Sequence, residues 1–283
     1  MHAGNYRPFL RQPDGTYQTY STLGQDGNAF FTGINNNGQI AGYVVGKGAF
    51  VAVPSSASNR SGVLSHIAAG GGWSTVITLV NTSTAAVPVT VALHNDDGSA
   101  LSLPLTTTQQ GASQTTTTSS VTAAINPSAT LLISMGSQTG STVVGWADVL
   151  SSGSLGGFAI FRQAPQTGSP SEGTVPLQSQ FPSTTTLPYD KTAGFVMGVA
   201  LANLSTSSAV FTATIWDDNG NQLGTQNITI PGNGHTAFVL PNQIALTAGR
   251  RGIVQFQSAA SGGITGLGLR FSPFGTFTSV PTM

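Results

Sequence analysis

Residues able to carry chemistry are few in this chain and widely spaced. Its 283 residues include nine basic and nine acidic side chains, four histidines and no cysteine. The single glutamate, Glu172, sits in the linker-like run Gly168-Ser169-Pro170-Ser171-Glu172. A glycosidase needs two carboxylates held across a sugar ring, and Asp148, Asp190, Asp217 and Asp218 show no spacing that pairs them. His2, His66, His94 and His235 form neither a His-x-x-x-His nor a His-Glu-x-x-His motif. The nucleophile elbow Gly-x-Ser-x-Gly fails at Gly72-Trp73-Ser74-Thr75, which lacks the closing glycine. Without cysteine there is no thiolate nucleophile, no disulfide framework and no Cys-ligated zinc. The expectation is a non-enzymatic protein with no catalytic, cofactor-binding or metal-binding residue. A hydrolase is the weakest functional reading.

Two acidic turns, Asn95-Asp96-Asp97-Gly98 and Asp217-Asp218-Asn219-Gly220, have the composition of calcium loops. Calcium takes six to eight oxygens, whereas each turn offers two carboxylates and no downstream acid. Asp-Gly or Asn-Gly between alternating apolar runs is instead a hairpin signal. Asn81, Asn203 and Asn227 open glycosylation sequons, but asparagine at a strand end is also a favoured turn residue. Aromatic side chains remain as recognition groups. Trp216 and Trp146, with Tyr189, are the candidates for stacking on a polysaccharide. Trp146 with Phe158 and Ile160 is the candidate for a surface covered by a neighbouring domain.

The elements that must position these residues follow from composition and pattern. Only 6% of the residues are charged, against about a quarter in ordinary soluble domains. Two lysines and seven scattered arginines at net charge zero offer no surface for nucleic acid. The chain is 39% hydrophobic, so it can bury a core, unlike a charged disordered segment. Gly98 to Ala147 carries no charge, yet Ser, Thr, Pro and Asn interrupt it, and no window has the apolar length of a membrane span. Met1 to Pro8 lacks the basic region and apolar core of a secretory signal, so either the chain stays inside the cell or its native start precedes Met1.

Short runs in which Thr and Ser alternate with Val, Ile, Leu and Phe, separated by Gly, Asn, Asp and Pro, have the period of half-buried strands. Val89-Thr90-Val91-Ala92-Leu93 and Phe211-Thr212-Ala213-Thr214-Ile215 are clear instances. No stretch has the spacing of an amphipathic helix, and the fold class is all-β. Trp73 to Leu101 aligns without a gap on Phe195 to Leu223, at an offset of 122 residues. Asn81 matches Asn203, Thr90 matches Thr212, Asp96 matches Asp218 and Gly98 matches Gly220. Further on, Gly145-Trp146-Ala147 falls opposite Gly252-Ile253-Val254, Phe161-Arg162 opposite Leu269-Arg270, and Thr174-Val175-Pro176 opposite Ser279-Val280-Pro281. Two units follow, 63–176 and 185–283, each the size of an immunoglobulin-like antiparallel β-sandwich. The alignment turns Val89, Val91 and Leu93, with Phe211, Ala213 and Ile215, inward, and it turns Trp216 and Trp146 outward. Phe158 and Ile160 fall opposite Gly266 and Gly268, which also places them outside.

Residues 1–54 differ in kind. Arg7-Pro8-Phe9-Leu10, Asp14-Gly15-Thr16-Tyr17, the string from Gly33 through Asn35-Asn36-Asn37-Gly38-Gln39-Ile40-Ala41-Gly42-Tyr43, and Gly48-Ala49-Phe50-Val51 resemble the extracellular HAF repeat of secreted bacterial proteins. The resemblance covers about one repeat and implies a small meander or propeller-blade-like segment that looks like part of a truncated array. Gly71-Gly72-Trp73, Val80-Asn81, Asp96-Asp97-Gly98 and Gly145-Trp146-Ala147 are similar to tandem β-domain pairs secreted by soil bacteria. Those pairs imply a location, extracellular or cell-surface, and no activity.

The functional expectation is a secreted or cell-surface structural, adhesive or assembly module. It would self-associate or meet other surface proteins through exposed strand edges, which lack the lysines that usually guard them. The alternative is a carbohydrate-binding module using the outward aromatics.

Overall fold

The computed structural model describes residues 9–11, 17–19, 29–34, 40–44, 48–52, 59–136, 140–165, 168–258 and 263–283. The chain is all-β and divides into two compact units, Met1–Ala57 and Ser58–Met283. In the first unit, β1 (Phe9–Arg11) pairs with β2 (Tyr17–Thr19). Separately, β3 (Ala29–Ile34), β4 (Ile40–Val44) and β5 (Gly48–Ala52) form an antiparallel meander. Phe30 and Tyr43 are cross-strand partners in it, and their rings stack with centroids 5.2 Å apart. His2 lies outside the described residues.

The second unit begins with β6 (Asn59–Ala69), β7 (Trp73–Asn81), β8 (Val87–His94), β9 (Leu103–Gln109) and β10 (Ala112–Thr118). It continues with β11 (Ser120–Ile125), β12 (Thr130–Gly136), β13 (Val143–Ser151), β14 (Leu155–Gln163) and β15 (Ser171–Pro176). These strands make a sandwich of sheet β11-β8-β13-β6 over sheet β10-β9-β12-β7-β14-β15. Next come β16 (Thr184–Asp190), β17 (Val196–Asn203), β18 (Ala209–Asp217) and β19 (Gln222–Ile230). The last four are β20 (His235–Val239), β21 (Arg251–Ser258), β22 (Ile264–Phe271) and β23 (Phe277–Pro281). They form sheets β19-β18-β21-β16 and β20-β17-β22-β23, which repeat the first strand order with β9 and β10 left out. The helical turns among the described residues are Leu240–Gln243 and Ala245–Thr247.

Alternation explains which faces meet. Val87, Val89, Val91 and Leu93 are buried along β8, as are Ala209, Phe211, Ala213 and Ile215 along β18. Hydroxyls and amides take the other face, where Thr90 bonds Thr122 and Thr212 bonds Asn227 across neighbouring strands. Matching turns are tied by matching residues. Asn81 and Asn203 are fully buried, each side-chain amide donating to backbone carbonyls of the following turn and of a facing strand. Ser128 and Asn233 occupy corresponding turns at positive φ, 57° and 52°.

Strand pairing corrects the sequence alignment at one place. Phe161 pairs with Thr75, and Arg270 pairs with Met197. Thr75 and Met197 correspond, so Phe161 is the counterpart of Arg270 and not of Leu269. Because side chains alternate, a shift of one residue moves each of them to the opposite face. Phe158 and Ile160 therefore correspond to Leu267 and Leu269, whereas Gly266 and Gly268 turn toward the second sandwich's own core, against Leu201 and Leu187. The facing strands agree, since Ile160 pairs with Thr174 and Leu269 with Ser279.

Leu267 and Leu269 consequently point out of their own sandwich, and there they join the first one. Together with Phe277 they belong to the cluster that includes Leu64, Ile67, Phe161 and Val175. Gly198, Ala200 and Ala202 share that outer face of β17 and β22, and their small side chains let β6 approach closely. The first sandwich's apolar core thus takes in the outer face of the second across the open side between β6 and β15, while the second keeps its own core around Leu187, Phe211 and Phe256.

Candidate functional site

The junction between the sandwiches gathers most of the unusual side chains. Trp146 is fully buried there, with Val63, Ala202 and Leu204 around it. Its indole N–H donates to the Asn233 carbonyl at 2.7 Å, and its ring stacks on His94 at 4.5 Å. Arg60 forms two hydrogen bonds with Asp148, at 2.9 and 2.8 Å, and a third with the Leu204 carbonyl at 2.9 Å. That guanidinium also lies 5.8 Å from the Trp146 ring and 5.9 Å from Phe181, within cation–π range. Phe277 stacks on Phe161 at 5.4 Å, nearly parallel, and lies tilted against Trp73 at 5.5 Å. Thr174 N–H donates to Ser279 Oγ, and Thr265 to Gln178.

A polar chain crosses the same junction. Asp96 Oδ1 is 2.7 Å from His235 Nδ1, and His235 Nε2 is 3.3 Å from His66 Nδ1. One tautomer set satisfies both contacts: His235 donates from Nδ1 to the carboxylate and accepts at Nε2 from His66. Burial, and secondarily the charge of His235, pushes His66 down to a pKa of about 3. His66 meets the Phe161 ring edge-on, and both imidazoles are buried. This chain ties the Asp96 turn and β6 of the first sandwich to β20 of the second.

The corresponding corner of the second sandwich is open. Trp146 pairs with His94 across β13 and β8, and Ile253 pairs with Trp216 across β21 and β18. Gly145 and Gly252 precede Trp146 and Ile253, and a Cβ at either would collide with the carbonyl oxygen of His94 or Trp216 respectively. Trp216, Ile253, Tyr189, Asp190, Asp218 and Arg251 line a shallow concavity of about 540 Å³ there. Trp216 is half-buried, and Ile253 remains 39% exposed. Asp218 and Arg251 face each other at 3.9 Å in solvent. The other carboxylates hold the backbone: Asn221 and Asn219 keep Asp217 below the usual range, and Thr192 does the same for Asp190.

These positions alter the expectations from sequence. Trp146 cannot stack on a sugar, because the second sandwich covers it completely. Phe158 and Ile160 do not join it, since β13 and β14 lie in opposite sheets; they lie on the outer face of the other sheet, where Phe158 is 37% exposed. Tyr189 lines the concavity from beneath: it is buried, its hydroxyl donates to the Trp216 carbonyl at 3.2 Å, and burial raises its pKa. The acidic turns are held as turns. Asp97 accepts from Ser99, which lowers its pKa, and no group of three metal-binding side chains occurs among the described residues.

Sequence reasoning missed Arg60, His66 and His235 as partners. Their contacts span 88 to 169 residues along the chain, and no local motif announces them. Asp96 stands out as part of a repeated acidic turn, but its histidine partner, 139 residues away, does not. No protein-family model matches the chain, and no curated protein matches it. No helix among the described residues is long and apolar enough to cross a membrane.

Proposed function

We propose that this protein is a non-enzymatic structural module, secreted or held at a cell surface, that works by assembling into larger structures. The shared core carries this reading. Leu267, Leu269 and Phe277 of one sandwich complete the interior of the other, which joins the two into one block and leaves the outer face of the first sandwich at Phe158 for contact. The hydroxyl-rich strand faces, the low charge and the HAF-like strings near the amino terminus support an extracellular setting. Sedimentation velocity of the full chain over a wide concentration range tests the reading. Species heavier than the monomer should grow with concentration, and monomers alone at the highest soluble concentration would contradict it.

The concavity at Trp216 favours a second reading, polysaccharide binding. Sugar rings stack on indoles, and Asp218 with Arg251 could bond their hydroxyls. Retention on insoluble cellulose or chitin that Trp216→Ala abolishes would support it; no retention on either would eliminate it.

A further inference from the structure

We propose that copies of the chain associate head to tail, with the Trp216 corner of one copy docking on the Phe158 face of the next. The contact would repeat the junction that already joins the two sandwiches within a chain. This proposal rests on the assembly reading above and names its surfaces.

The internal junction has two sides. The first sandwich contributes a corner built from β6, Trp146, His94 and the turn at Asp96 to Gly98. The second contributes a face built from Ala200, Ala202, Leu267 and Leu269, with the turn at Asn233. Because the strand order is the same in both sandwiches, each has a counterpart of both sides. One corner and one face are used internally, so one of each is left over.

The leftover corner is on the second sandwich. Trp216 stands where His94 stands, Ile253 where Trp146 stands, and Gly220 where Gly98 stands. Gly98 is pressed against its neighbour, so that a Cβ would run into the Gly232 carbonyl, whereas a Cβ on Gly220 meets open space. The leftover face is on the first sandwich. Phe158 and Ile160 stand where Leu267 and Leu269 stand, and Thr78 and Val80 where Ala200 and Ala202 stand. Val76 and Leu132 extend the apolar strip, each half-buried. Phe158 and Ile253, two of the large apolar side chains left exposed, thus mark the two complementary surfaces.

A second copy is the occupant because the complementary surface is carried by the chain itself. The two surfaces differ, so the contact is heterologous, and repetition gives an open chain instead of a closed pair. The internal junction is tethered by the segment after Gln178, which raises its effective concentration. Contact between copies lacks that tether, and Pro127 replaces Gly232 at the turn, so association should depend on protein concentration.

The protein has no cysteine, so disulfide trapping can test the arrangement. Thr130 and Asp218 are the counterparts of His235 and Asp96, which touch at 2.7 Å. On oxidation of the concentrated full chain, Thr130→Cys combined with Asp218→Cys should give a ladder of dimers, trimers and larger species. Either cysteine alone should give nothing beyond a dimer. Adding Phe158→Asp should remove the ladder while leaving the unfolding midpoint of the monomer unchanged. Absence of species beyond the dimer in the double variant, or a ladder that survives Phe158→Asp, would overturn the proposal. If the wild type still sediments as assemblies in either case, the assembly reading stands without this arrangement. Monomers throughout would remove both.

Discussion

His66 and His235 face each other across the junction, Nδ1 of the first 3.3 Å from Nε2 of the second, and Asp96 holds the far side of His235 at 2.7 Å. Two imidazoles this close and this buried cannot both carry a proton cheaply. The folded protein keeps His66 neutral, with its pKa at about 3 against an ordinary 6.5. Between those values the unfolded chain binds the extra proton, so stability rises with pH. The contribution is complete above the ordinary histidine range and is lost as pH falls through it toward 3. Each pH unit in that window removes at most about 1.4 kcal/mol. Urea unfolding at several pH values should show this loss, and His66→Gln should flatten it. A wild-type stability that stays level from neutral pH into the acid range would contradict the buried pair.

Trp146 and Trp216 should respond very differently to truncation. Trp146→Ala empties a sealed site and strands the Asn233 carbonyl, at a cost of about 3–5 kcal/mol. Trp216→Ala, on an open corner, should cost about 1 kcal/mol or less. Equal losses in denaturant unfolding would mean that the second sandwich does not cover Trp146.

Gly98 and Gly220 provide a matched pair. Both have positive φ, 85° and 81°, so alanine at either pays the left-handed penalty of about 1–2 kcal/mol. Only Gly98→Ala must also push the Gly232 turn away. Thermal unfolding should show the larger drop for Gly98→Ala, and equal drops would argue against the turn contact.

Much of this fold was legible because each strand buries one face. The alternation in β8 and β18, with the recurring Asn-x-Ser and Asp-x-Gly turns, reveals both the elements and their repetition. The junction was not legible. Ser65 and His66 form a bulge opposite Trp146, since Gly145 pairs with Ile67 and Ala147 with Leu64. A bulge leaves no trace in local hydrophobicity, and it turns a residue that alternation would assign elsewhere. Phe158 and Ile160 were placed outside for a mistaken reason, because a pairing register can be read only from the partner strand. Trp216 was legible as outward from its neighbours Thr212 and Thr214, but its likeness to the covered His94 corner needed the second sandwich in place.

Asn81 and Asn203 should be equally intolerant of change. Each is fully buried and saturates its side-chain amide on backbone carbonyls. Replacement by alanine removes these buried bonds, and each substitution should cost about 2–3 kcal/mol in denaturant titration. Mass spectrometry of protein made in a glycosylating host should find neither site modified, because the folded protein seals both amides.

Electron cryomicroscopy of the concentrated full chain tests the central claim most directly. Successive sandwiches should be related by one repeated operation, the one that relates the two within a copy, with Trp216 and Ile253 of one copy covering Phe158 and Ile160 of the next. Particles in which the Phe158 face stays bare, or is covered through a two-fold contact, would contradict it.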